Sequence, residues 1–342
     1  MGGWRLRCPR CGFAGEEGRY YPFCPRCGGP LEFDGEPPRY GSLMGEGRTP
    51  YVARRTRLGT IKFKLEYVNP TGSFKDRGAS YSVQLARDLG YGCVVEDSSG
   101  NAGISAAAYA AFAGLKAIVV VPASAAPSKK SLIRSLGAEV VEAPSRDEAA
   151  RVAEGLSGRC FYVSHARSAA FLEGMKSVGA ELGEDEDLRA VVVPSASFSL
   201  LLGVWRGLGG RGRRPALIAV QRVDNPTLAG YGVRVLAAGR GASASLADGL
   251  VLSSAPRAPE AANAVRESGG GLVLVSDEEI RRSLKELWSM GLVAEPTSAA
   301  AYAALQLLAD NGYDVDGYTV LLTGSGLKFA ADLPRLLGGT SS

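Results

Sequence analysis

Four of the six cysteines lie in the first 27 residues, as "CPRCG" at Cys8 and Cys11 and "CPRCG" again at Cys24 and Cys27. Two residues separate the members of each pair and twelve separate the pairs, a spacing that offers four thiolates to one tetrahedral zinc ion. Gly12 and Gly28 follow the pairs, where a backbone turn with positive φ is needed. Four cysteine ligands leave no open position, so the metal's expected role is structural, with iron or disulfides as alternatives. In "EDSSGNAGISAAAYAA" a strand ending at Asp97 meets Ser98, Ser99, Gly100 and Asn101 as a helix begins, which gathers amides and hydroxyls where anions bind. "LLTGSGLK" (321–328) sets Thr323 and Ser325 at another strand's carboxyl end, where open α/β sheets keep their ligands. Lys75 stands between a turn-forming Pro-Thr-Gly-Ser run and an Asp-Arg pair in "NPTGSFKDRG" (69–78). The plain reading of Lys75 is a surface side chain paired with Asp76. His165 is the one histidine of the chain, and its neighbour Ser164 is too close in sequence to form the Ser-His bond of a triad. It reads as a core or surface histidine.

Elements able to position these residues alternate along the chain. Strand-like runs are "IKFKLEY", "GCVVED", "KAIVVVP", "AEVVEA", "RAVVVPS", "PALIAVQ" and "YTVLLTGS", and helical patterns fall between them, so a parallel α/β sheet is expected. "AGISAAAYAAFAG" (102–114) is a helix closed by glycine, and "SDEEIRRSLKELWSMG" opens with Ser276 and Glu279 at capping-box spacing. Cys93 and Cys160 read as core filler. "FDGEPPRYGS" is a linker that ends the cysteine module near residue 35.

The chain has 342 residues, 46% of them hydrophobic, and a net charge of +4 from 39 basic and 35 acidic groups. That balance makes no case for a nucleic-acid partner. The apolar runs are far below membrane-spanning length and the N-terminus has no apolar leader pattern, so a cytoplasmic protein without a membrane partner is expected. Asparagine and glutamine together number 8 and arginine outnumbers lysine 30 to 9, a bias shared by thermophiles and by some base compositions.

Taken in order, "GEGRTP", "NPTGSFKDRG", "SSGNAG", "EPTSAAA" and "TGSGLK" resemble the fold type II pyridoxal-phosphate-dependent enzymes, the threonine synthase family in particular. The resemblance implies a zinc ribbon (1–35) followed by a catalytic region (36–342) of two open α/β lobes, the large one 36–78 with 179–342 and the small one 79–178. It implies that Lys75 forms an imine with pyridoxal 5'-phosphate and shuttles protons, a task suited to an amine whose pKa is lowered by burial and by cations such as Arg77. Cofactor contacts implied are Phe74 near the ring, Asn101 on the ring hydroxyl, Thr323 facing the pyridine nitrogen, and Ser195, Ala196, Ser197, Phe198 and Ser199 on the phosphate. A hydroxyl at Thr323 does not favour a protonated ring, so the electron sink is mild. Ser98 and Ser99 are implied to bind the substrate carboxylate.

Two departures from the family pattern stand out. The glycine-rich phosphate loop reads "SASFSLLLG", and Phe198 demands space that glycine would not. In "SHARSAAFLEGMKS", Phe171 occupies the place of an arginine that binds substrate phosphate, with Arg167 or Lys176 as substitutes. The implied reaction converts O-phosphohomoserine and water to threonine and phosphate, in a homodimer. Alternatives are β-elimination or β-replacement on serine, threonine or phosphoserine, and a non-catalytic descendant that binds a macromolecule.

Overall fold

The computed structural model describes residues 3–210, 212–241, 246–251 and 254–328, so residues 329–342 of the expected large lobe lie outside the described residues. The chain runs through β1 (Trp4–Arg7), β2 (Glu32–Gly35), β3 (Tyr51–Thr56), β4 (Gly59–Leu65), α1 (Lys75–Asp88), β5 (Cys93–Glu96), α2 (Asn101–Phe112) and β6 (Lys116–Pro122). It continues as α3 (Pro127–Ser135), β7 (Glu139–Ala143), α4 (Arg146–Leu156), β8 (Phe161–Tyr162), α5 (Ala169–Leu182), β9 (Ala190–Pro194), α6 (Ser199–Gly209) and β10 (Ala216–Arg222). Last come β11 (Val235–Ala238), α7 (Ala258–Glu267), β12 (Gly271–Val275), α8 (Asp277–Ser289), α9 (Pro296–Asp310) and β13 (Tyr318–Leu322). Two compact units result, one of residues 1–47 and 75–175 and the other of 48–74 and 176–342.

The first unit holds the antiparallel pair β1-β2 and a parallel sheet in the order β7-β6-β5-β8. Strands β5 and β6 read as continuous apolar runs because helices cover a sheet of this kind. Helix α2 is alanine-rich and buried on nearly every side, which small side chains allow without leaving holes. It ends as expected, with Gly114 at φ 73. Segment 36–47 joins this unit rather than the large lobe to which the sequence assigned it. The cause is hydrogen bonding: Tyr81 donates to the Pro38 carbonyl at 2.7 Å, the Gln84 amide to that of Gly41 at 3.0 Å, and Tyr109 to the Glu46 carboxylate at 3.1 Å. The lobe boundaries accordingly fall at 74/75 and 175/176, a few residues earlier than expected.

The second unit is built on a sheet in the order β11-β12-β10-β9-β13-β4-β3, parallel except for the β3-β4 hairpin. Its core joins Phe63, Val192, Val320 and Leu322 of the sheet to Tyr302 and Leu305 of α9 and to Leu284 and Leu287 of α8. Each such side chain contributes about 1.5–3 kcal/mol when removed from water. The expected capping box closes the start of α8, where the Ser276 amide donates to the Glu279 carboxylate at 2.6 Å.

Cys93 and Cys160 are not core filler: a disulfide joins them, from the first residue of β5 to the residue before β8. Strands β5 and β8 are paired neighbours in the sheet, which brings the two sulfurs within reach. Closing a loop of 67 residues removes about 4 kcal/mol worth of unfolded-chain freedom in the entropic account. Thiol titration of the denatured, metal-free chain should find four free thiols before reduction and six after. Six reactive thiols without reductant would remove the disulfide from this description.

Candidate active site

Lys75 opens α1, and its ammonium lies 5.6 Å from the centre of the Phe171 ring. Asp76 is not on the surface: its carboxylate is wholly buried and accepts the Ser105 hydroxyl of α2 at 2.5 Å. Helices α1 and α5 meet through glycines. A Cβ on Gly78 would lie 2.6 Å from the Phe171 ring, and one on Gly174 would lie 2.2 Å from the Arg77 carbonyl oxygen. The last glycine of "KDRG" therefore makes room for the Phe171 ring.

Parallel strands β5 and β8 end side by side, and both send polar residues to that end. Glu96, the last residue of β5, is fully buried, and its Oε1 lies 2.6 Å from Nδ1 of His165. Ser164 takes φ 32, a strained left-handed turn for a residue with a Cβ, in the step that leads to His165. Tyr162 donates to Asp97 at 2.8 Å. Burial pushes the Glu96 carboxyl up to about 8, opposed by the Lys75 charge and by the amides of His165 and Ser164. Burial pushes the His165 imidazole down to about 3, and the Lys75 charge acts in the same sense. Among the described residues, Glu96 Oε2 finds no hydrogen-bond partner.

The loop after β5 has the expected form. Ser98 Oγ accepts from the Gly100 amide at 3.2 Å, and Asn101 is the first residue of α2. No side chain caps that helix. A Cβ on Gly103 would lie 1.9 Å from the Ser98 carbonyl oxygen, so the second glycine of "SSGNAG" is what lets the loop fold over the first turn. Ser98, Ser99 and Asn101 are all half-buried.

In the second unit the Phe74 amide donates to the Thr323 carbonyl at 3.0 Å, and Ser73 bridges Gly324. Thr323 is buried, with its hydroxyl 3.1 Å from that of Ser298 and 3.4 Å from the Glu295 carboxylate. Ser298 Oγ also accepts the Gly324 amide at 3.0 Å. Glu295 is the N-cap residue of α9, and the Gly324 position is so close to its carboxyl that a Cβ there would lie 2.3 Å away.

The "SASFS" loop lies at the carboxyl end of β9. Its entry is fixed by the Ser195 amide on the Val220 carbonyl at 2.9 Å and by the Gln221 side chain on the Ser195 carbonyl at 3.1 Å. Phe198 is the N-cap of α6 at φ 64, the left-handed conformation glycine adopts freely, and its side chain is 2% exposed. The aromatic thus keeps a glycine-like turn at a cost of about 1–2 kcal/mol. Phe198, as N-cap, gives the first turn of α6 no side-chain hydrogen bond, and a helix start of this kind suits an anion. Ser197 and Ser199 hydroxyls lie 3.2 Å apart, whereas Ser195 donates its own to the Val193 carbonyl at 2.7 Å. An uncapped, left-handed turn with two small hydroxyls fits a phosphate group. Of the residues suggested for substrate phosphate, Arg167 is paired with Glu154 at 2.6 Å and lies over Phe23, and Lys176 is half-buried in α5.

The four N-terminal cysteines gather as their spacing predicts. Their sulfurs lie within 4.8 Å of one another, with Cys8 to Cys27 at 3.6 Å and Cys11 to Cys24 at 3.5 Å. Tetrahedral Zn–S bonds of about 2.3 Å imply sulfurs about 3.8 Å apart. Gly12 and Gly28 take φ 71 and φ 68, as expected. Of the module's aromatics, Phe13 and Tyr21 meet edge to face, but Tyr20 stacks on Phe161 at 4.5 Å and bonds Ser168, outside the ribbon.

Glu96, Asp97, Glu295 and Ser298 were not singled out from the sequence, and His165 was set aside. "EPTSAAA" was the visible signal for Glu295 and Ser298. For Glu96 and Asp97 the signal was two acids closing an otherwise apolar strand.

Comparison with known proteins bears on the whole of this arrangement. A family model described as pyridoxal-phosphate dependent enzyme matches residues 43–326. The threonine synthase of Mycobacterium bovis is 31% identical over 299 residues, which cover 83% of this chain and 82% of that protein. That of Methanosarcina acetivorans is 30% identical over 291 residues, 78% of this chain and 71% of that protein. The crystal structure of O-ureido-L-serine synthase superposes with a TM-score of 0.74 at 22% identity, over 89% of this chain and 97% of that one, which shows a shared fold. Because Phe198 is buried, Phe198→Gly should destabilise the protein by about 2–4 kcal/mol in urea unfolding, the lost packing exceeding the relieved turn. A gain in stability would mean that backbone strain outweighs burial there.

Proposed function

Because the chain belongs to the pyridoxal-phosphate-dependent enzyme family, we propose that it is a threonine synthase-like carbon–oxygen lyase that converts O-phosphohomoserine and water to threonine and phosphate. The observation that carries this reading is Lys75, half-buried at the start of α1 within the motif the family uses for its reactive amine. Similarity to curated threonine synthases along four-fifths of the chain supports the substrate class. Bound pyridoxal phosphate would supply an aldehyde for the amine and an electron sink for charge left at the substrate Cα.

The chain's own residues divide the remaining work. Lys75 takes and returns the proton at Cα. Amides of the α2 first turn, with the Ser98 and Ser99 hydroxyls, bind the amino-acid carboxylate. Amides of the α6 first turn with Ser197 and Ser199 hold the cofactor phosphate, Asn101 its ring hydroxyl, and Thr323 its ring nitrogen. Thr323 has Ser298 and Glu295 as hydrogen-bond neighbours, which fix its hydroxyl in one orientation. The thiolate cluster fits a structural zinc ion.

One observation favours a second reading. Phe171 is wholly buried against Gly78, and an apolar ring offers nothing to a phosphate ester. β-Elimination from serine or threonine would need no cation at that position.

Product assays with phosphohomoserine, phosphoserine, threonine and serine side by side decide between the two. Threonine and phosphate from phosphohomoserine support the first reading, and keto acid from serine or threonine supports the second. Borohydride reduction of the cofactor-loaded protein should place a phosphopyridoxyl adduct on Lys75, and Lys75→Ala should lower turnover at least about a hundredfold; an adduct on Lys64 or Lys328 would overturn the assignment. Metal analysis should return about one zinc per chain, and Cys8→Ser should loosen residues 1–35, seen as faster proteolysis, more than it slows turnover. Protein free of both zinc and iron would dispose of the metal site.

A further inference from the structure

We infer that Glu96, clamped by His165, is a positioning residue that acts as counter-charge for the proton carried by the Lys75 nitrogen. The inference rests on the reading of Lys75 as the reactive amine, and it concerns groups that the reading leaves without a task. Four side chains from three places in the first unit converge: Lys75 from α1, Glu96 from the end of β5, and His165 and Phe171 from the segment that follows β8 and enters α5. Nδ1 of His165 holds one Glu96 oxygen at 2.6 Å, while the other oxygen is buried and finds no hydrogen-bond partner among the described residues. The Phe171 ring lies 5.6 Å from the Lys75 ammonium and 6.5 Å from the imidazole.

A buried carboxylate with an idle oxygen is costly unless a cation stands near it. Lys75 is the cation whose charge is felt at both Glu96 and His165. The other titratable groups around the pair are Asp97 beside Glu96, Tyr162 of β8 bonded to Asp97, and Arg146 of α4, whose charge reaches His165. Asp97 accepts from Tyr162, and the charges that act on it are those of Glu96 and His165, whereas Glu96 is a carboxyl on which the Lys75 charge acts. Burial raises the Glu96 pKa, so its ionisation falls in the mildly alkaline range. In that range the anion favours the charged form of Lys75. An amine that must accept the Cα proton and keep it briefly gains from such a partner.

The sign is fixed by charge. Glutamine in place of Glu96 removes the anion, so the Lys75 pKa should fall. In cofactor-free protein, labelling of Lys75 by an amine-specific acylating reagent, mapped by mass spectrometry across pH, should reach half its maximal rate at least about one pH unit lower in Glu96→Gln than in wild type. Glu96→Asp, which keeps the charge, should return the half-point most of the way to the wild-type value, and His165→Gln should give a smaller shift of the same sign as Glu96→Gln. The readout needs neither cofactor nor turnover, so it can fail while the borohydride adduct still forms on Lys75. An unchanged or higher half-point in both Glu96→Gln and His165→Gln would overturn the inference. So would tight binding of Zn²⁺ or Mn²⁺ that is lost in His165→Gln but not in a Cys8→Ser control, since Glu96, Asp97 and His165 would then be a cation site.

Discussion

One backbone hydrogen bond, from the Phe74 amide to the Thr323 carbonyl, fixes the end of the segment that leads up to Lys75. Lys75 is the next residue, and the boundary between the two compact units falls at that peptide. β13 and β4 are already paired in the sheet, so the strand ending at Leu322 and the loop ending at Phe74 leave the same edge. Ser73 and Gly324 then extend the pairing by one bridge. Phe74 is thereby locked to the chain that also carries Thr323, and that lock costs no side chain.

Aromatic residues stand at the two places where the sequence reading expects a departure from the family pattern, and the structure accommodates them differently. Phe198 keeps the left-handed backbone that glycine would take and buries its ring. Phe171 fits because Gly78 has no side chain to meet it. The first is a local backbone strain offset by burial of an aromatic. The second is a matched pair of volumes on facing helices, the kind of fit that fails when either member is changed alone.

What was legible in the sequence was local. Seven strand runs, the two helix ends at Gly114 and Gly291, the capping box at Ser276 and the cysteine spacing each depend on neighbours within a few residues, and all are present. Strand β3 is hard to read from sequence because its residues alternate poorly and four of them are charged or hydroxylated. The short β8 has only two residues. What escaped at the candidate site depends on which strands lie side by side. Nothing within "CVVED" says that β8 is its neighbour, so the meeting of Glu96 with His165, across 69 positions, is a fact of topology. The Cys93–Cys160 bond was missed for the same reason.

That bond has a further consequence for the unit it belongs to. The segment it encloses contains α2, β6, α3, β7 and α4, which is most of the first unit's parallel sheet. Helix α3, with Ile133 as its buried residue, is the exposed stretch of that segment. A single cleavage in α3 would therefore produce two pieces that stay tethered, each still carrying one strand of the β5-β8 pair. The strand ends that present Glu96 and His165 would keep their register, so the unit is built to survive a nick in its most accessible helix.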